Sequence, residues 1–386
     1  MLYSFKGDRY GIEPYGPLIA DGNGGFYGTT SGYYSKTKAC GSVFQLSPPT
    51  GKYKTWFLRQ LHVFARGAGD GCNPLGGLVA DSIGRLYGTT AGGGATGGGT
   101  VFGLFPSGAG SWTEDQLYSF GAGSSPMGSL IRDAKGVLYG TTSGGGATGN
   151  GSVFAATPAG AETTLYSFQG GADGKRPTDA LVEDKTGAFY GTTYNGGGGT
   201  ICQGGQGCGT VFKLTPPVAG QKTWTETLLW LFTGGEDGSN PYAGVSLDKS
   251  GNLYGVTVYG GSAGAGVAFE LSPPAAGQTA WVESVLHNFQ SNQDGGAPYG
   301  NLIFGPRGVL YGTTFGGGSG GGTVFKLSPP SGGQSDWTES QLFNFAGGSS
   351  GEFPYGGLLR IKGGDLFGTT SAGGANNFGT VFEVTP

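Results

Sequence analysis

The sequence predicts an all-β chain folded as a seven-bladed β-propeller of four-stranded antiparallel blades, on three observations. A block centred on Leu/Phe-Tyr-Gly-Thr-Thr or a close variant recurs seven times, with its aromatic residue at Tyr27, Tyr87, Tyr139, Tyr190, Tyr254, Tyr311 and Phe367. Those positions lie 60, 52, 51, 64, 57 and 56 residues apart, a period suited to one repeated supersecondary unit. Each block spells four short β-prone runs punctuated by turn residues, and propellers use about four to eight such blades. The chain ends are complementary as well. The last block stops after a third strand, Val381-Phe382-Glu383-Val384, while the chain opens on an orphan fourth strand, Leu2-Tyr3-Ser4-Phe5. Pairing them closes the ring and removes two exposed strand edges, so residues 1–386 read as a single domain.

The elements follow in order from the block at residues 74–120. Leu78-Val79-Ala80 is a short apolar inner strand. Asp81 and Gly84 then predict a tight hairpin, with Asp accepting from the turn backbone and Gly at positive φ. Leu86-Tyr87-Gly88-Thr89-Thr90 is the second strand. A glycine-rich loop over residues 91–98 leads to a third strand, Thr100 to Leu104, ending at Pro106. A second hairpin brings in Trp112-Thr113-Glu114 and Leu117-Tyr118-Ser119-Phe120 as the fourth. The Asp-x-x-Gly turn recurs at Asp21/Gly24, Asp133/Gly136, Asp184/Gly187 and Asp248/Gly251. Apolar residues on both parities of the strands predict sheets covered on both faces by neighbouring blades. A glycine inside every second strand (Gly28, Gly88, Gly140, Gly191, Gly255, Gly312, Gly368) weakens a strand unless something packs there. The expected occupant is an aromatic ring from the adjacent blade.

Composition excludes several functions. Gly plus Pro is 87 + 20 = 107 of 386 residues, a fraction that signals disorder only when it lacks a period. The net charge of -4 and the absence of any Lys/Arg cluster leave no surface for nucleic acid. No run of about 18 apolar residues exists to span a membrane as a helix; the strongest, Leu228 to Phe232, is strand-sized. Because the first five residues already belong to the pattern, a secretion leader is expected to have been removed and a methionine supplied.

The composite pattern resembles the GloVer-type tandem repeat family. It runs Leu-Tyr-Gly-Thr-Thr, a glycine-rich loop, Gly-Thr-Val-Phe-x-Leu-x-Pro, Trp-x-Glu, Leu-Tyr-Ser-Phe and Asp-Gly-x-x-Pro-Tyr, spelled at 86–90, 99–106, 224–226, 117–120 and 237–242. The resemblance covers essentially the whole chain. It implies an exported bacterial protein, in a family whose members carry assorted cell-surface anchors, and it implies no reaction.

Cys40 and Cys208 hold the same repeat position, in loops of ten and fifteen residues where the other blocks have seven or eight. Cys202 lies in the same loop as Cys208, and Cys72 lies in the loop entering block two. Loops after the second and fourth strands share one face of a propeller, so disulfides Cys40–Cys72 and Cys202–Cys208 are expected, in keeping with an oxidising compartment. A Cys₄ zinc site is the rival, but no Cys-x-x-Cys spacing supports it.

The same face carries the features that bear on function. Asp8, Asp70, Asp173, Asp237 and Asp294 enter five blades. They read first as Asp-Gly turns and, more sharply, as a carboxylate ring for calcium or sugar hydroxyls. After the loop proline come Tyr15, Leu75, Met127, Thr178, Tyr242, Tyr299 and Tyr355. Ring closure makes the four tyrosines one arc, with Tyr33, Tyr34, Tyr259, Phe315 and Phe378 in the glycine-rich loops of those blades. An aromatic arc beside carboxylates stacks pyranose rings and bonds their hydroxyls. The expected binding residues are therefore Tyr15, Tyr242, Tyr299, Tyr355, Tyr259, Phe315, Asp237 and Asp294.

No catalytic residue is assigned. The Gly-x-Ser-x-Gly matches follow no strand–helix turn, and His62 and His287 align on the outer fourth strand, remote from that face. The Trp-x-Glu pairs read as packing between blades. The leading expectation is a secreted or surface binding module for glycan or polysaccharide. A carbohydrate hydrolase or lyase using Asp237 or Asp294 with a tyrosine, and a cell-envelope scaffold docking a protein partner, are the alternatives.

Overall fold

The computed structural model describes the chain except residues 8–10, 35–38, 52, 66–68, 109, 199–201, 203, 293 and 333–335. Seven four-stranded antiparallel sheets follow one another in chain order. In the second blade the strands are Val79–Ala80, Leu86–Thr90, Thr100–Gly108 and Ser111–Ser119. Asp81 closes the first hairpin as expected: its Oδ1 accepts from the Ile83 and Arg85 amides at 3.0 and 2.9 Å, and Gly84 sits at φ 82°. The third strand runs past Pro106 to Gly108, longer than the sequence suggests. Its last partner on the second strand is Leu86, opposite Leu104. Beyond that point only the fourth strand flanks it, and the missing proline donor breaks no ladder.

The ring closes as the chain ends predict. Tyr3–Ser4 pairs with Thr380–Val384, Tyr3 opposite Val381, completing the sheet of Leu359–Arg360 and Leu366–Thr370. Every sheet is covered on both faces. At each of the seven interfaces a phenylalanine ending a fourth strand meets, edge to face, the third-strand phenylalanine of the next blade. The pairs run from Phe5–Phe44 through Phe64–Phe102 and Phe120–Phe154 to Phe345–Phe382, with centroids 4.9–5.3 Å apart.

This geometry corrects the expectation for the second-strand glycines. The ring against each glycine comes from its own blade, because glycine and phenylalanine are cross-strand partners, as in Gly28↔Phe44 and Gly140↔Phe154. A Cβ on Gly140 would stand 2.8 Å from Phe154 Cζ and 2.8 Å from Leu130 Cδ2. The adjacent blade's phenylalanine packs against that ring in turn, Phe120 meeting Phe154 edge to face at 4.9 Å.

The two threonines of the motif have separate jobs. The first donates its hydroxyl to a carbonyl of the next blade's inner segment: Thr29 to Gly76, Thr89 to Gly128, Thr141 to Asp179, Thr192 to Ala243, Thr313 to Gly356, and Thr369 to Gly16 across the closure. In blade five the residue is Val256, which cannot donate. The second pairs with the start of the third strand, as in Thr90···Thr100 at 2.8 Å.

Candidate functional site: a tyrosine-capped channel mouth

The inner segments of all seven blades line the central channel, and their side chains decide what it admits. Immediately before each loop proline the backbone is left-handed: Glu13, Asn73, Ser125, Arg176, Asn240, Ala297 and Phe353 have φ of 51–60°. Such strain persists only where neighbours over-determine it. Here each N–H is held by a carbonyl of the preceding blade's glycine-rich loop, as in Asn73 N–H to Cys40 O at 2.7 Å and Glu13 N–H to Phe378 O at 3.2 Å.

Two residues on, the four predicted tyrosines converge. Tyr299 stacks on Tyr355 with centroids 4.5 Å apart, Tyr15 meets Tyr355 edge-on at 5.0 Å, and Tyr242 meets Tyr299 and Tyr355 at 5.2 and 5.3 Å. Phe315 joins the edge of the cluster, 5.5 Å from Tyr299 and stacked on Phe353 at 4.8 Å. Tyr259, on the glycine-rich loop, is 40% exposed and hydrogen-bonds Tyr299. Burial and the neighbouring tyrosines push the Tyr299 and Tyr355 hydroxyls well above the ordinary tyrosine value, so they stay protonated. The cluster caps a cavity of about 40 Å³ inside the channel. On its loop side lies a cup of about 390 Å³ lined by Glu13, Tyr15, Asn73, Met127, Tyr242 and Tyr355, with Leu75, Ser31 and Gly32.

The predicted aspartates are placed elsewhere. Asp237 accepts from the Thr233 amide and hydroxyl at 2.8 and 2.5 Å. Asp294 accepts from the Gln290 amide at 2.8 Å and lies 2.7 Å from His287 Nε2. Asp70 and Asp173 close equivalent turns beside His62 and Tyr166. Both histidines therefore reach the loop aspartates, which corrects the expectation that they are remote. Among the described residues, no group of three or more His, Cys, Asp or Glu able to share an ion contains two of these aspartates. Asp8 and the side chains of Tyr33 and Tyr34 lie outside the described residues.

The carboxylates that do stand beside the tyrosines went unread in the sequence. Glu13 faces Tyr15, and burial pushes its carboxyl above the usual range. Asp179 lines the capped cavity near Tyr242 and accepts from Asn301 Nδ2 at 3.0 Å and the Gly244 amide at 3.3 Å. Burial raises its pKa, and the hydrogen bonds from Ala180, Gly244, Asn301 and Ser129 act the other way. The signal was available by alignment: where Asp179 stands, the other blocks have Gly16, Gly76, Gly128, Ala243, Gly300 and Gly356.

Both expected disulfides form, Cys40–Cys72 and Cys202–Cys208, each with Cα atoms 5.1 Å apart. No cysteine is free among the described residues. The first staples blade one to the loop entering blade two. No helix among the described residues is long and apolar enough to cross a membrane.

Fold and site define a closed, seven-bladed repeat propeller with a tyrosine-capped channel mouth. The chain belongs to the Gloeobacter/Verrucomicrobia repeat family, whose model matches residues 1–203 and again 198–386. No curated protein shows significant sequence similarity to it. Among solved structures it is similar to a provisionally assigned 6-phosphogluconolactonase from Bacteroides uniformis, at 14% identity over 81% of this chain and 80% of that one, TM-score 0.47. It is also similar to a provisionally assigned oxidoreductase (glucose dehydrogenase) from Thermus thermophilus, at 14% identity over 97% of each chain, TM-score 0.44. Likeness at this level carries no argument about activity.

Proposed function

We propose that the chain is an extracytoplasmic binding module that holds a glycan in the cup at the channel mouth. The observation that carries this reading is the one-sided cup. Tyr15, Tyr242 and Tyr355 offer ring faces and hydroxyls, Leu75 and Met127 line it with apolar surface, and Glu13 and Asn73 supply acceptors and a donor at the rim. A volume near 390 Å³ falls in the range of ligand pockets, about 300–1,000 Å³, and aromatic faces with a few polar groups suit a pyranose ring. The two disulfides support an oxidising compartment. Asp237 and Asp294, taken up in their own turns, offer no acid–base pair beside the tyrosines, which weighs against the hydrolase or lyase reading.

The test is a glycan and polysaccharide array, run with calcium and with chelator, reading both retention and released products. Retention without products, unchanged by chelator, is expected. Released sugars would make the protein an enzyme, and silence throughout would move the reading to a protein partner.

A further inference from the structure

We propose that His62, Asp70 and Glu114 form a site for a borderline divalent cation, zinc being the representative, at the junction between the first and second blades. His62 stands on the fourth strand of blade one, Phe57–Ala65, Asp70 in the loop that follows, and Glu114 on the fourth strand of blade two. One ligand atom from each lies within 4.8 Å of the others.

His62 Nε2 and Asp70 Oδ1 are 3.5 Å apart, long for a hydrogen bond. Two ligands at about 2.1 Å from a tetrahedral zinc stand about 3.4 Å from each other. The chain's other histidine makes the contrast, because His287 Nε2 and Asp294 Oδ2 are closed at 2.7 Å, too near for a shared ion.

Glu114 Oε1 is buried without a hydrogen-bond partner among the described residues, as is Oε1 of Glu226, Glu283 and Glu339 at the same repeat position; what singles out Glu114 is that, among the described residues, it alone of the four lies within 4.8 Å of ligand atoms from both a histidine and an aspartate. One imidazole nitrogen and two carboxylates match zinc-type ions; calcium asks for about six to eight oxygens.

The ligands are also held in place. Asp70 takes the Ala65 and Gly71 amides at 2.7 Å each. Gly71–Cys72 pairs with Gly92–Gly93, and Cys72 is bonded to Cys40. The His62 and Asp70 side chains keep 22% and 24% of their surface exposed, so an ion can enter from solvent.

The repeat supplies the variant that tests this. Tyr166 occupies the position equivalent to His62 in blade three and donates to Asp173 at 2.7 Å, so the fold accommodates tyrosine there. The tag-free full chain, stripped with chelator, is titrated with zinc chloride by calorimetry and by thermal shift. We expect one zinc per chain with a raised Tm, at least tenfold weaker binding in His62→Tyr and in Glu114→Gln, and unchanged binding in His287→Tyr. Failure of the wild type to bind, binding that survives both His62→Tyr and Glu114→Gln, or binding lost in His287→Tyr would overturn the site.

Discussion

Gly140→Ala tests how the blades are assembled. The added methyl lands 2.8 Å from Phe154 Cζ, 2.8 Å from Leu130 Cδ2 and 3.1 Å from Phe154 Cε1, where carbon atoms prefer about 3.5–4.0 Å. Neither neighbour has room to retreat. Phe154 is fully buried, Leu130 is 3% exposed, and Phe120 of the preceding blade packs on the Phe154 ring at 4.9 Å. Forcing a methyl into such a core costs about 1–3 kcal/mol, while the stiffer unfolded chain returns about 0.4–1 kcal/mol. At the middle of those two ranges the net loss is about 1.3 kcal/mol. With an unfolding entropy near 2.1 cal/mol/K per residue, 386 residues give about 0.8 kcal/mol/K, so Tm falls by only about 1.6 °C. Urea unfolding at fixed temperature is therefore the better assay. Phe154→Leu removes the ring that the methyl strikes, so the double variant should be at least 1 kcal/mol more stable than additivity requires. A neutral Gly140→Ala, or additivity within about 0.5 kcal/mol, would refute the same-blade packing.

Two further predictions bear on the interfaces. Thr89→Val removes a buried hydroxyl that donates to Gly128 O at 3.0 Å and should cost about 1 kcal/mol. Val256→Thr restores that donor in the one blade lacking it and should gain about 0.5–1 kcal/mol, both read by urea unfolding. Glu226, Glu283 and Glu339 are pushed up to about 7, first by burial and then by Asp173, Asp237 and Asp294. A carboxyl raised above its unfolded value contributes stability that is full below about 4.5 and lost as pH rises through about 7. Tm should therefore fall between pH 4.5 and 7, and a Glu→Gln triple variant should flatten that slope. An identical slope in the variant would contradict the assignment.

Much of the architecture was legible because the repeat supplies its own alignment. The unmatched ends, the Asp-x-x-Gly turns, the paired loop positions of Cys40 and Cys72, and the tyrosine arc are all consequences of register. What stayed hidden depends on where side chains meet. The phenylalanine against each second-strand glycine belongs to the same blade, and only the cross-strand pairing of Gly28 with Phe44 reveals it. Asp237 and Asp294 looked available for a glycan, yet their short side chains fold back onto the backbone and fourth-strand neighbours of their own turns. Asp179 is hard to read because it sits in a small-residue position one step beyond the variable one, where the sequence shows a substitution but not the channel it faces.

The most direct measurement is affinity gel electrophoresis against soluble neutral glucans, xylan and pectin, comparing wild type with Tyr15→Ala and Glu13→Ala. Both residues line the cup. The account predicts that at least one polysaccharide retards the wild type, and that both variants keep the wild-type far-UV spectrum and migrate as freely as in a blank gel. Retardation undiminished in both variants, or no retardation by any of the three classes, would contradict it.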